Sequence, residues 1–386
     1  MRVLHVISND DSRAGGPAVA MSGLCKAQRA AGLDVAVLAT FRSDSRHDLA
    51  DELRAGGVDV TLIGPTHGPL AAHPQLAAAA QTAVAAADVI HIHALWESVQ
   101  YEAAKSAQRA AKPYLFTPHG MLTPWSLRQK ALKKKLYMAL RLRRYLDRAS
   151  ALHFTTAQER DDTAQLRLAP PPIVEPLGVD LREFQTLPPR GSFRAKHPQL
   201  AGRKIVMFLG RLHPGKGMEY LIPAFAQVKM DDAVLVAVGP DSHGFQATLQ
   251  AMVDQHGVGD RVFFTGMLRG ADRIEALADA DLFALPSEHE NFGVAVIEAL
   301  ACGVPVVIST GVAIAGEIVA AGVGAAVPVE VDRIAAEVRR WLADEDLRRA
   351  AAEKARRFVW EKFDWSTVAR NWVGHYSRLA AAGPPR

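Results

Sequence analysis

The chain has 386 residues, 49% hydrophobic and 22% charged, which is the balance of a soluble globular protein long enough for two domains. No apolar run approaches the roughly 20 residues that cross a bilayer, and the sequence opens on a strand-like run instead of a signal peptide, so we expect a cytoplasmic protein. The net charge of +4 is only mildly basic, so its local concentration matters more than its sum.

Strand-like runs alternate with helical segments in two series, which is typical of parallel sheets with helices on both faces. The first series is 3–7, 34–39, 58–63, 89–93, 114–117 and 151–155. The second is 205–209, 234–238, 262–265, 282–285 and 306–308. We therefore predict two Rossmann-like domains, joined by a linker rich in proline and charge at 181–203. Cys25 and Cys302 lie in apolar helical stretches, which favours buried, reduced thiols over a disulfide or zinc site.

The loop after the first strand ends in Gly15 and Gly16, directly before a predicted helix at 18–31. In parallel sheets of this kind, ligands bind at the loops that follow the strands. Glycines at a helix start let backbone N–H groups approach an anion, and the helix dipole favours negative charge there. A lone glycine pair is also what a tight turn requires.

Histidines end two of the predicted strands. His91 and His93 lie in D-V-I-H-I-H, and His119 lies in T-P-H-G. A histidine at a strand end often has a structural hydrogen-bonding role. The spacing of His91 and His93 would suit a metal, but no acidic or cysteine partner stands at a supporting spacing, so we predict no metal site.

A basic segment at 125–148 combines nine cations with one acid and with apolar residues at helical spacing. Its cations are Arg128, Lys130, Lys133, Lys134, Lys135, Arg141, Arg143, Arg144 and Arg148. Such a helix is either a solvated face or a surface for an anionic membrane. Nucleic acid is a weaker interpretation, because no recognition motif accompanies the charge.

A second phosphate-binding candidate is G-R-L-H-P-G-K-G at 210–217, between a strand and a helix. Arg211 and Lys216 would place two cations on one short loop. The pattern overlaps the start of a P-loop, but Gly217 stands where a P-loop needs Ser or Thr for magnesium.

The stretch 287–303 holds two carboxylates, Glu290 and Glu298, on either side of Phe292 and Gly293. The residues after Gly293 are apolar apart from Glu298, which predicts a buried helix that ends at a glycine, Gly303. A carboxylate in such a helix needs a partner. That partner is either a nearby Arg or Lys or the hydroxyl groups of a ligand.

The two-carboxylate spacing, with F-G after the first Glu and E-A-L-A-C-G-V-P-V-V after it, resembles the nucleotide-sugar signature of the retaining GT-B glycosyltransferases of family 4. The resemblance covers nearly the whole chain. It implies an α/β fold of two Rossmann-like domains whose parallel sheets face each other across a cleft. Residues 1–184, completed by a C-terminal helix at 365–382, would form the acceptor domain, and 185–364 the nucleotide-sugar donor domain.

The resemblance also implies metal-independent transfer of a hexose from a nucleoside diphosphate to an acceptor hydroxyl, without a further cofactor. Departure of the diphosphate would be stabilised by fixed cations. The resemblance places Arg211 and Lys216 at the diphosphate, with Gly15 and Gly16 nearby. It places Glu290 and His119 at the sugar and Glu298 at the ribose. Gly266 and Met267 would lie at the base, and Phe292 and Gly293 beside the donor.

Many relatives have a glycine pair where this chain has residues 312–315, which weakens the expectation for local donor contacts. We expect a glycan or lipid-linked acceptor, from a cell-surface polysaccharide or glycolipid pathway, at the inner face of the membrane. The alternatives are a sugar-nucleotide epimerase of the same architecture and a catalytically silent membrane-surface module.

Overall fold

The computed structural model describes residues 1–14 and 16–383, and the chain divides into two compact units. Unit 1 contains Met1–Val179 and the C-terminal residues from Phe363, and unit 2 contains Asp180–Lys362. Each unit is built around one parallel sheet, as the alternating pattern predicts.

The sheet of unit 1 has seven strands in the order β3-β2-β1-β4-β5-β6-β7. The strands are β1 Arg2–Ile7, β2 Asp34–Thr40, β3 Asp59–Ile63, β4 Val89–His93, β5 Tyr114–Thr117, β6 Ala151–Phe154 and β7 Pro172–Val174. All six predicted strands are present, and β7 is additional. Only three residues long and opened by a proline, β7 carries too little pattern to be recognised and is confined to the sheet edge.

The helices of unit 1 pack on both faces of this sheet. They are α1 Gly16–Ala30, α2 Asp48–Ala55, α3 Leu76–Ala85, α4 Ser98–Arg109, α5 Pro124–Arg128, α6 Ala131–Tyr137, α7 Arg143–Asp147, α8 Ala157–Thr163 and the C-terminal Trp365–Ala382, here called the closing helix. Two short 3-10 turns are Ser12–Ala14 and Ala164–Leu166. The closing helix buries Trp372 and Tyr376 against β1, β4 and α1, so it is part of the core of unit 1.

The sheet of unit 2 has six parallel strands in the order β10-β9-β8-β11-β12-β13. The strands are β8 Lys204–Leu209, β9 Ala233–Val238, β10 Val262–Gly266, β11 Leu282–Leu285, β12 Val306–Ser309 and β13 Gly324–Val327. The helices are α9 Ser192–Lys196, α10 Met218–Val228, α11 Phe245–Gln255, α12 Gly270–Asp279, α13 Val294–Ala301, α14 Ala315–Ala321, α15 Val331–Ala343 and α16 Glu345–Phe363. The strand β13, rich in glycine and alanine, was missed because small residues give little strand signal.

The segment expected to be a linker, 181–203, is instead folded into unit 2. It forms short helices at Arg182–Phe184, Ser192–Lys196 and Pro198–Leu200. Phe184, Phe193 and Leu200 are each at most 2% exposed, and Arg194 pairs with Asp281 at 2.9 Å. A few apolar anchors hold a polar segment in place here, which average composition does not reveal.

The basic segment was expected to form one continuous helix. It does not, because the chain is broken between α5 and α6. Lys130 has φ of 54°, a left-handed conformation that an α-helix does not accommodate. A further irregularity follows α6, where Met138–Leu142 is a π-helical turn. The segment therefore consists of α5 and a second helical run over 131–147 that contains the π-helical turn.

Candidate functional site

The loops that follow β8, β11 and β12 meet in unit 2, because these strands are neighbours in its sheet. Backbone N–H of Glu288 and the Ser287 hydroxyl both donate to the carbonyl of Gly215, at 2.9 and 3.0 Å. A Cβ on Gly311 would lie 2.3 Å from the carbonyl oxygen of Glu288, so the third loop approaches closely only with glycine there. We call this junction the unit 2 loop site.

Within the unit 2 loop site, Lys216 and Glu290 form an ion pair through Nζ and Oε2. Both side chains are about a quarter exposed, 26% and 22%, so the pair is accessible to a ligand. Arg211, on the same loop as Lys216, is exposed. The structure therefore brings into contact two charged residues that the sequence singled out, Lys216 and Glu290, and places Arg211 on the loop of Lys216.

Gly217 explains why this loop departs from a P-loop. Its φ is +94°, and a Cβ would lie 2.2 Å from the carbonyl oxygen of Pro286 at the end of β11. The Ser or Thr that a P-loop uses to hold magnesium is therefore excluded by backbone packing.

Glu298 lies on α13, which begins and ends as predicted, with Gly293 before it and Gly303 after it. Its Oε1 pairs with Arg273 of α12 at 3.0 Å, and Arg273 also pairs with Glu183 at 2.9 Å. Burial raises the pKa of the Glu298 carboxyl, and the Arg273 charge opposes that rise. The ion-pair interpretation of Glu298 is thus present in the structure, and a ligand role for it remains a hypothesis.

Other predicted donor residues lie on the same edge of the sheet. Gly266 ends β10 with φ of +70°, and the Met267 side chain after it is 54% exposed. Phe292 is buried, and Gly293 takes a left-handed conformation directly before α13. The segment 312–315, where the family resemblance leads one to expect a glycine pair, is buried and leads into α14.

In unit 1, the glycine pair is only partly described. Gly15 lies outside the described residues, whereas Gly16 is exposed and begins α1. A Cβ on Gly16 would meet no atom within 4 Å, so packing does not explain why this position is glycine.

His119 lies in a sharp turn after β5, with φ of +52°, and Gly120 follows with φ of +77°. A left-handed conformation costs a non-glycine residue roughly 1–2 kcal/mol, so the surroundings must hold it. The buried carboxylate of Glu159 does so. It accepts hydrogen bonds from the Gly120 N–H and, at 2.9 Å, from the Thr155 N–H, which ties the turn to the end of β6. Glu159 was not among the residues singled out from the sequence.

His91 and His93 belong to a larger buried cluster that also includes His5 and His153. Burial lowers the pKa of His5 and of His153 to about 4 and that of His119 to about 3, and it lowers the pKa of His91 and of His93 well below the usual value. These rings are therefore neutral at physiological pH. His5 pairs in register with His91 of the neighbouring strand, a signal that the sequence carries once the strand order is known.

Ring nitrogens of His5, His91 and His93 lie within 4.8 Å of one another, a spacing that could suit a metal ion. The nitrogens already have partners: His5 Nδ1 lies 2.9 Å from His93 Nε2, and His91 Nδ1 lies 2.6 Å from the Tyr376 hydroxyl. A metal would have to displace these hydrogen bonds. Cys25 and Cys302 are both buried and free, as expected from the sequence.

Two known family models match the chain, one over each of its two units. The family model of glycosyl transferases group 1 matches residues 189–358, and the model of the glycosyl transferase 4-like domain matches residues 15–178. The two matches together span most of the chain.

Among curated proteins, the chain is 34% identical over 178 residues to an uncharacterized glycosyltransferase of Methanocaldococcus jannaschii, covering 45% of this chain and 44% of that protein. It is 29% identical over 294 residues to the GDP-mannose-dependent alpha-(1-6)-phosphatidylinositol monomannoside mannosyltransferase of Mycobacterium tuberculosis, covering 72% and 74%. The chain spans about half the length of the first curated relatives that it matches.

Among solved structures, Anabaena HepE in complex with UDP superimposes with a TM-score of 0.78 at 24% identity, covering 98% of this chain and all of that chain. This likeness shows the fold and confirms the predicted GT-B class of two Rossmann-like units. Taken with the two family matches, it means that the chain belongs to the group 1 glycosyltransferases of GT-B fold.

Proposed function

We propose that the protein is a retaining hexosyltransferase, which moves a sugar from a nucleoside diphosphate to an acceptor hydroxyl. The observation that carries the proposal is the unit 2 loop site, where Lys216 pairs with Glu290 across the ends of neighbouring strands and Arg211 lies exposed on the same loop as Lys216. A nucleoside diphosphate needs fixed cations, and a sugar needs a carboxylate acceptor for its hydroxyl groups.

The proposed roles follow from the charge and position of each group. Lys216 and Arg211 stabilise the departing diphosphate, and Glu290 accepts hydrogen bonds from the sugar. Glu298 accepts from the ribose hydroxyls through the oxygen that Arg273 does not hold. The reaction needs no metal in this scheme, because two cations offset the charge that develops on the leaving group.

The relatives point to two different bases for the nucleotide-sugar donor. HepE was crystallised with UDP, and the mycobacterial relative is named as dependent on GDP-mannose. A thermal-shift panel of UDP, GDP and ADP with their hexose conjugates, each with and without magnesium, tests the proposal. We expect stabilisation by one diphosphate, indifference to magnesium and loss in Glu298→Ala. Stabilisation only with magnesium would contradict the metal-independent scheme.

Two alternatives predict different outcomes. A sugar-nucleotide epimerase would convert the donor without any acceptor, so product analysis in the absence of acceptor detects it. A catalytically silent membrane-surface module would bind none of the panel.

We further propose that residues 125–148 bind an anionic membrane, and that the acceptor is lipid-linked or a cell-surface glycan precursor at its cytoplasmic face. Leu132, Leu136 and Leu140 are 82%, 59% and 75% exposed, spaced four residues apart along α6 and the π-helical turn. Lys133 and Lys135 beside them are exposed too. Exposed leucines flanked by lysines are what an interfacial segment presents to a lipid surface.

No described helix is both long and apolar enough to span a bilayer. The segment would therefore act from the surface, with each Lys or Arg near the membrane contributing about 1 kcal/mol. Lys134 differs from its neighbours, since its Nζ donates to the Ser126 carbonyl at 2.6 Å and lies over the Trp96 ring.

A further inference from the structure

A continuous series of hydrogen bonds crosses unit 1, and one end of it can only accept. The backbone carbonyl of Glu175 lies 2.7 Å from Nε2 of His153, so this nitrogen must carry a proton. A neutral His153 then has a lone pair on Nδ1, which accepts from the Thr117 hydroxyl at 2.8 Å. Because the Thr117 hydroxyl donates its only proton to His153, its oxygen accepts from Nε2–H of His91 at 2.5 Å.

The same reasoning carries the direction across to the closing helix. Neutral His91 accepts at Nδ1 from the Tyr376 hydroxyl, 2.6 Å away. The Tyr376 oxygen can then only accept, and the amide nitrogen of Gln28 donates to it at 3.0 Å. The amide oxygen of Gln28 consequently faces His5, whose Nε2–H donates to it at 2.8 Å.

From His5 the series reaches the turn after β5. Nδ1 of His5 accepts from Nε2–H of His93 at 2.9 Å, and Nδ1 of His93 accepts from Nε2–H of His119 at 3.1 Å. The remaining nitrogen, Nδ1 of His119, keeps its lone pair and makes no hydrogen bond within residues 1–14 and 16–383.

The opposite direction is not available to neutral rings. If the amide of Gln28 were reversed, Tyr376 would donate to Gln28, and His91 would have to donate from Nδ1. Thr117 would then donate to His91, so His153 would have to be protonated on both nitrogens. Burial, which lowers the pKa of His153 to about 4, opposes that charge. One backbone carbonyl therefore orients every group up to His119.

We propose that this series, here called the histidine chain, fixes His119 as the neutral Nε2–H tautomer and leaves its Nδ1 as a hydrogen-bond acceptor. Gln28 and Tyr376 are the positioning residues. They connect the part of the series that begins at the Glu175 carbonyl with the part that ends at His119. A bare imidazole nitrogen accepts from a hydroxyl and repels a phosphate oxygen. The group that His119 receives is therefore a sugar hydroxyl and not the diphosphate, a statement that rests on the proposed function.

The experiment is a long-range ¹H–¹⁵N correlation spectrum of full-length protein labelled with ¹⁵N-histidine, between pH 6 and 8. We expect the Nε2–H tautomer for His5, His91, His93, His119 and His153. A protonated or Nδ1–H His119 would overturn the proposal. Metal-shifted nitrogens on His5, His91 and His93, with metal found in the purified protein, would overturn it as well.

Two variants break the histidine chain at neighbouring links. In Tyr376→Phe the amide of Gln28 is free to reverse, so His5, His93 and His119 should populate both tautomers while His153 keeps Nε2–H. Gln28→Leu should give the same division and serves as the second variant if Tyr376→Phe folds poorly. A single unchanged His119 tautomer in a folded variant contradicts the assigned role.

Tyr114→Phe is the matched control, because it removes another buried hydroxyl of unit 1, which donates to the Tyr145 carbonyl at 2.7 Å. Its histidine spectrum should equal that of the wild type, and a scrambled His119 there would contradict the proposal.

Calorimetry with UDP and UDP-glucose, or with GDP and GDP-mannose, measures the sugar contact separately. Tyr376→Phe should weaken binding of the sugar conjugate about 3- to 10-fold more than that of the bare diphosphate. Equal weakening would overturn the hydroxyl assignment. Wild-type protein that binds none of these probes would contradict the proposed function, and the spectra would still decide the tautomer.

Discussion

The unit 2 loop site and the histidine chain of unit 1 are organised on opposite principles. In unit 2, Lys216 and Glu290 are charged, accessible and paired with each other. In unit 1, five histidines are neutral, and four of them are at most 2% exposed. An accessible ion pair can exchange its partner for a ligand, whereas a buried neutral chain can only hold a geometry. The two regions therefore suggest charge compensation in one unit and orientation in the other.

The largest effect should come from Lys216→Ala, which removes the cation from the unit 2 loop site. We expect turnover to fall about 100- to 1,000-fold, the range seen when one stabilising group of a transition state is lost. Stability should change by no more than about 1 kcal/mol, because the ion pair is partly exposed and screened. Steady-state kinetics and thermal unfolding of the same sample separate the two effects.

Lys204→Ala is the matched control, since Lys204 pairs with Asp232 at 3.1 Å on the surface of the same unit. Its turnover should match that of the wild type. Equal activity of Lys216→Ala at saturating donor would remove Lys216 from the proposed mechanism.

The second comparison separates the two interpretations of Glu298. If this carboxylate binds the ribose, Glu298→Gln should weaken binding of the nucleoside diphosphate by about 10- to 100-fold, as expected for loss of a hydrogen bond to a charged group. Arg273→Gln should lower stability and leave binding of the diphosphate nearly unchanged. Calorimetry on both variants decides the matter, and similar losses of affinity would indicate that Glu298 only balances Arg273.

A third effect concerns acid and should be confined to unit 1. The buried histidines have folded pKa values below the unfolded value near 6.5, about 4 for His5 and His153, so they stabilise the fold above pH 6.5. As the pH falls below 6.5, the unfolded chain binds protons that the folded chain does not, and stability is lost. Each ring contributes up to about 1.4 kcal/mol per pH unit in that window.

Hydrogen exchange at pH 7 and pH 5, corrected for intrinsic rates, tests this expectation. Protection of β1 and β4 should fall by more than protection of β8 and β9 in unit 2. Equal losses in both units would indicate that acid acts through groups other than these histidines.

The smallest effect is expected at the membrane. The double variant Lys133→Gln, Lys135→Gln should reduce sedimentation with anionic liposomes, most clearly at low salt, since each lysine contributes about 1 kcal/mol. Lys134 is left intact because it holds Ser126. Lys229→Gln, Lys354→Gln is the matched control, with two exposed lysines of unit 2. Unchanged sedimentation of the first variant would favour a solvated face.

Much of the fold could be predicted, because each predicted strand has its own apolar run and glycine or proline residues mark many of the loops. Gly293 and Gly303 mark the ends of α13 as expected. Two strands were missed where the local signal is weak, β7 with its proline and β13 with its small residues. The folded segment after Val179 was taken for a linker, because Phe184 and Phe193 are anchors that only tertiary contacts reveal.

The charged residues of the unit 2 loop site could be found from sequence, because they lie in short motifs after strands. The histidine chain could not. His5 and Tyr376 stand at opposite ends of the sequence, and Gln28 joins them only because the closing helix packs on α1. Neither a motif nor a spacing relates residues that meet in this way.

The ion pair between Lys216 and Glu290 has a consequence for how these positions change together. A substitution at either one leaves the other charge without its counter-ion in the empty protein, so the effects of single changes cannot be independent. A double-mutant cycle on the two, measured by thermal unfolding, should give a coupling energy of up to about 1 kcal/mol. Related chains that lose one member of the pair are therefore expected to lose or replace the other.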